Sequence, residues 1–85
     1  MIKITTNSIE IKSMIEDLND NYPEFIEDYK YLLEVVDEIA SVSFVPEGCY
    51  TINDEVVTVG GKEWTEVDAY PLVIQGGLYL FESRL

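Results

Sequence analysis

Apolar and polar positions along this chain change their spacing once, near residue 40. Before it they recur at helical intervals. In the first segment Ile11, Met14, Ile15 and Leu18 follow at steps of three and four, and Asn7 with Glu10 three places on forms a capping-box start. "NDN" at Asn19–Asn21 breaks that pattern. A second helix is expected from Pro23, whose missing N–H suits a first helical turn, to about Ala40. With Glu24 at zero and 100° per residue, Phe25, Ile26, Tyr29, Leu32, Leu33, Val36, Ile39 and Ala40 fall within about 60–200°. Glu24, Glu27, Asp28, Glu34, Asp37 and Glu38 fall on the opposite arc. Tyr31 and Val35 break the separation by landing among the carboxylates, where an aromatic is a candidate binding anchor. Isolated apolar residues on a surface are also ordinary.

After Ala40 the segments "SVSFV", "CYTI", "EVVTV", "EWTEV", "PLVI" and "LYLFE" are rich in β-branched and aromatic residues. Turn signals separate them: "PEG" at Pro46–Gly48, "ND" at Asn53–Asp54, and glycine pairs at Gly60–Gly61 and Gly76–Gly77. "IKIT" at Ile2–Thr5 reads equally as a short strand or an ordered arm. The fold class expected is α+β, with two N-terminal helices packed on one face of a four- to five-stranded antiparallel sheet. Residues 1–85 form a single domain, since this length leaves no room for two cores.

Charge narrows the partners. Seventeen Asp and Glu against five Lys and Arg leave a net charge of −12. Such a surface repels nucleic acid and anionic membranes and favours a basic protein partner, although acidity also serves solubility alone. The absence of histidine removes the commonest general base and metal ligand. With one cysteine, Cys49, neither an internal disulfide nor a zinc-finger site is available, and no cofactor is implied. Cys49 is expected to pack as a small apolar group in a strand. "VTVGGKEW" has the wrong spacing for a phosphate loop, and "NDNYPE" supplies only the first members of a calcium loop. The carboxylates lie mostly on an exposed arc, without the burial that tunes a catalytic acid or base. A non-enzymatic, cytoplasmic protein is the expectation; the start of the chain has no signal-peptide pattern, and no apolar run suits a bilayer.

The stretch "NDEVVTVGGKEWTEVDAYPLVIQ" resembles the phage-encoded uracil-DNA glycosylase inhibitor family, and lies on it without a gap. The matching positions are Asp54, Glu55, Val57, Glu66, Leu72, Val73, Ile74 and Gln75, with Tyr70 where the family has another aromatic. "PE" at Pro23–Glu24, followed by Glu27 and Asp28, is similar to the start of the family's acidic second helix. The resemblance implies inhibition by DNA mimicry, with a free monomer that binds uracil-DNA glycosylase one to one. By position it implies that Glu24, Glu27 and Asp28 stand for phosphates and Glu63 for a sheet-edge acid. Ile26, Tyr29 and Val73 would line an apolar pocket, with Gln75 at its rim. Tyr31 and Val35 join the partner-binding candidates from the helical pattern.

Two features depart from the family. Large apolar pocket positions correspond here to Thr58 and Gly60, and the acidic strand between the family's helices is matched only by "EDLNDNYP", where Asp17 is nearest. The same physics serves an inhibitor of a restriction or CRISPR nuclease in evasion of host defence. A small acidic protein-interaction domain is the contrasting class.

Overall fold

The structure, a computed structural model, describes residues 3–65 and 68–84. Helix α1 spans Ser8–Asn21 and starts as its sequence demands: the Asn7 side-chain oxygen accepts hydrogen bonds from the N–H groups of Ile9 and Glu10. The reciprocal half of a capping box is replaced. Glu10 accepts from the Thr5 hydroxyl, and that hydroxyl in turn accepts from Asn7 N–H at 3.3 Å. Asn19–Asn21 do not end the helix; it runs through them and stops at Tyr22, ahead of Pro23.

A 3-10 turn at Pro23–Phe25 leads into α2, Ile26–Glu34. The second helix is therefore shorter than its apolar spacing suggests. It ends at the adjacent β-branched Val35 and Val36, a further 3-10 turn follows at Val36–Glu38, and Ile39 and Ala40 open strand β2, Ile39–Pro46. Pairing decides this boundary: Ile39 lies opposite Ser83, and Arg84 N–H donates to the Glu38 carbonyl at 2.9 Å.

The remaining strands are β1 (Lys3–Thr5), β3 (Tyr50–Asn53), β4 (Val56–Val59), β5 (Lys62–Trp64), β6 (Ala69–Ile74) and β7 (Gly77–Ser83). Every β-rich segment read from the sequence thus carries a strand. Of the arm "IKIT", Ile2 lies outside the described residues, as do Glu66 and Val67 of "EWTEV". The strands form two antiparallel sheets, one of order β1-β2-β7-β6 and one of order β3-β4-β5. Both φ angles at Gly60–Gly61 are positive, +58° and +86°, as a tight two-residue hairpin requires.

The α+β class holds, with both N-terminal helices on one face of an antiparallel sheet. Ile11, Ile15 and Leu18 of α1 and Tyr29 and Leu32 of α2 bury against Ile39, Val42, Leu72, Ile74 and Phe81 of the four-stranded sheet. Strand side chains alternate between faces, so Val45 and Leu78, three residues from Val42 and Phe81, point the other way. They pack on Val57, with Tyr50, Val59 and Trp64 around them. The second sheet is therefore a third layer, behind the first. A bulge between Ile39 and Ser41 turns Ile39 to the helix side, where a regular strand would point it away. Cys49 is exposed in the connection before β3 and does not pack as a strand residue, because the strand starts at Tyr50.

Candidate partner-binding surface

α2 presents two kinds of surface. Its acids, Glu27, Asp28 and Glu34, are exposed, as are Glu24 in the preceding turn and Asp37 and Glu38 in the following one. Glu27 and Asp28 occupy the first turn of α2, where the helix dipole favours negative charge. Because the helix ends at Glu34, Asp37 and Glu38 continue the acidic run on a 3-10 turn, not as a straight helical ridge.

Beside these acids, a groove of about 450 Å³ runs between α2 and β6, lined by Asp28, Tyr31, Leu32, Ala69, Tyr70, Pro71 and Leu72. Leu32 and Leu72 are buried and make its apolar floor. Asp28, Tyr31 and Leu32 share one side of α2 through their spacing of three and four. The Tyr31 ring, 49% exposed, meets the Tyr70 ring edge-on with centroids 5.6 Å apart.

β6 is an edge strand, and its open side is blunted. Ile74 faces Gly77 across a two-residue turn, so Tyr70, Leu72 and Ile74 exchange hydrogen bonds with β7. The main chain of Ala69, Pro71 and Val73 faces outward. Ala69 N–H already donates to the Thr65 carbonyl at 2.9 Å, and Pro71 has no N–H.

The residues singled out from sequence divide accordingly. Asp28 and Tyr31 meet at the groove, with Glu24 and Glu27 close by in the chain. Val35 is half-buried at the end of α2. Asp17 lies on α1 beside an open depression of about 510 Å³ that it lines with Tyr22 and Tyr79. Glu63 belongs to the third layer, on β5, and Gln75 to the exposed turn between β6 and β7.

The expected pocket of Ile26, Tyr29 and Val73 is not assembled. Tyr29 is wholly inside the core, and Val73, 43% exposed, alternates with Leu72 and Ile74 and so faces away from the helices that carry Ile26. Thr58 lies on β4 and Gly60 in the β4–β5 turn, both in the third layer. No strand lies between the two helices, so Asp17 has a helical setting. Burial pushes the Tyr29 phenol up to about 12, helped by the charges of Glu24 and Asp28, and its hydroxyl has no hydrogen-bond partner among the described residues.

Sequence reading missed Pro71, Ala69 and Leu32 as groove residues. The available signal was an aromatic next to proline in a strand, Tyr70–Pro71, because proline in a ladder marks an edge. Among the described residues no group of three or more His, Cys, Asp or Glu could hold a metal ion, and no helix is long and apolar enough to cross a membrane. Comparison with family models, curated proteins and solved structures finds no match to this chain.

Proposed function

We propose that this protein is a non-catalytic inhibitor that occupies the DNA-binding cleft of a basic DNA-handling enzyme, with uracil-DNA glycosylase as its target. One observation carries the reading: between Glu24 and Glu38 the six carboxylates stay in solvent while Phe25, Tyr29, Leu32, Leu33 and Val36, interleaved with them, turn toward the core. A run of outward carboxylates has the sign of a phosphate backbone, and a cleft lined by Lys and Arg is attracted to it at long range. The resemblance in residues 53–75 supplies the choice of enzyme. The groove beside Asp28 supports binding through more than charge, since apolar surface contributes affinity that salt does not screen.

The test is titration of purified protein into a uracil-excision assay at several salt concentrations. Inhibition at near-stoichiometric amounts is expected, with an association rate that falls as ionic strength rises. Glu27→Lys combined with Asp28→Lys should abolish it. Undisturbed excision at excess protein rejects the glycosylase as target; the same salt signature on a restriction or CRISPR nuclease then moves the target to that enzyme. Full inhibition by the double variant removes α2 from the mechanism.

A further inference from the structure

The geometry points to the α2–β6 groove as a binding site for an arginine side chain of the partner, with the guanidinium held between Asp28 and the Tyr31–Tyr70 ring pair. This rests on the reading of the partner as a basic protein and specifies what it inserts.

Three observations converge on that ligand. First, among the described residues the groove has one carboxylate at its rim and an apolar floor of Leu32 and Leu72. A purely apolar group would take water from Asp28 and return no hydrogen bond, and an anion would be repelled. Arginine satisfies both parts, its methylenes covering the floor and its planar head donating to the carboxylate. Second, Tyr31 is half exposed at the groove beside the Tyr70 ring, and an aromatic face attracts a guanidinium. The chain makes an interaction of this kind internally, with Lys62 Nζ 3.6 Å from the centre of the Trp64 ring. Third, the blunted edge of β6 does not offer a main-chain ladder: of its three outward positions, Pro71 lacks an N–H and that of Ala69 is engaged by Thr65. Recognition there falls to a side chain and not to an added strand. A net charge of −12 supplies the long-range attraction for a cation.

The test uses the ¹⁵N-labelled whole chain titrated with the blocked tripeptide acetyl-Leu-Arg-Leu-amide and its lysine and citrulline variants. Amide shifts from the arginine peptide are expected to concentrate on Asp28, Tyr31, Leu32, Tyr70 and Leu72. The uncharged citrulline peptide should leave them unmoved, and lysine should bind about threefold or more weakly, having no planar fork. Asp28→Asn and Tyr31→Ala should each weaken the arginine peptide about fivefold or more, whereas Tyr31→Phe, which keeps the ring, should not. Glu34→Gln, outside the groove, should change affinity less than about twofold.

Equal binding of citrulline, shifts spread over Asp20, Glu34 and Glu38, or indifference to Tyr31→Ala would overturn the site. Those results leave the inhibition assay untouched, so a protein that blocks excision but ignores the arginine peptide keeps its function and loses this site. One that binds the peptide but blocks no DNA enzyme does the reverse.

Discussion

Tyr31 on α2 and Tyr70 on β6 join helix and edge strand through rings inclined at 69°, 5.6 Å between centroids. This pair turns a half-exposed aromatic among carboxylates into one wall of a groove. Aromatic pairs of this kind contribute about 0.5–1.5 kcal/mol beyond their burial. A double-mutant cycle of Tyr31→Ala and Tyr70→Ala, followed by urea unfolding, should return a coupling of that size. A coupling near zero would show that the rings only adjoin.

Glu27→Lys with Asp28→Lys should leave the fold intact and lower the unfolding free energy by no more than about 2 kcal/mol. The loss comes from reversing charge in the first turn of α2, at about 0.3–1 kcal/mol per residue, and it is offset by a smaller net charge. Circular dichroism with urea titration measures it, and a collapse of helical signal would mean that these acids hold the fold.

Salt should stabilise the free protein. With net charge −12, like-charge repulsion opposes the compact state, and the screening length shrinks from about 30 Å at 0.01 M to about 8 Å at 0.15 M salt. The melting temperature should therefore rise across that range of sodium chloride. A fall would indicate that attractive charge pairs dominate.

Tyr29→Phe removes a buried hydroxyl that none of the described residues satisfies, so stability should stay equal or rise by up to about 2 kcal/mol. The phenol also links stability to pH. Its folded value, near 12, lies above the ordinary 10, so the unfolded chain loses its proton first. The contribution is complete below pH 10 and is lost as pH rises to 12, with a slope of up to about 1.4 kcal/mol per pH unit. Tyr79, also raised by burial, acts in the same direction. Between pH 10 and 12 the variant should lose less stability than the parent, and identical slopes would assign the effect elsewhere.

Gly77→Ala should destabilise by about 1–3 kcal/mol, because a Cβ there would overlap the Phe44 ring and approach the Val45 carbonyl oxygen to 2.9 Å. At neighbouring Gly76 the added carbon meets nothing, and only its φ of +89° opposes alanine. Gly76→Ala should accordingly cost about 1–2 kcal/mol through the backbone alone. Chemical denaturation of both variants checks this. If relaxing the ring removes the clash, Phe44→Leu will rescue Gly77→Ala and leave Gly76→Ala unchanged.

Local chemistry made much of this fold legible. The Asn7 cap, the helical spacing of Ile11, Ile15 and Leu18, and the six β-rich segments each express a preference that acts over a few residues. The site was less legible. Ile26, Tyr29 and Val73 are apolar residues suited to a pocket, but the alternation of β6 sends Val73 to one side of the sheet while Tyr29 sinks into the core on the other. The alternation is local, but which face of β6 meets the helices is not carried by residues near them in the chain.

By itself the sequence determined the kinds of element, the side each turns inward and the excess of negative charge, because periodicity and composition act along the chain. Only the tertiary structure decided where α2 stops. A step of three from Val36 to Ile39 satisfies a helix, whereas the opposing Ser83 and the bulge after Ile39 make it the start of a strand. The division into two sheets and the meeting of Tyr31 with Tyr70 were decided in the same way. Spacing specifies which way a side chain faces, and only the packed chain specifies what stands opposite.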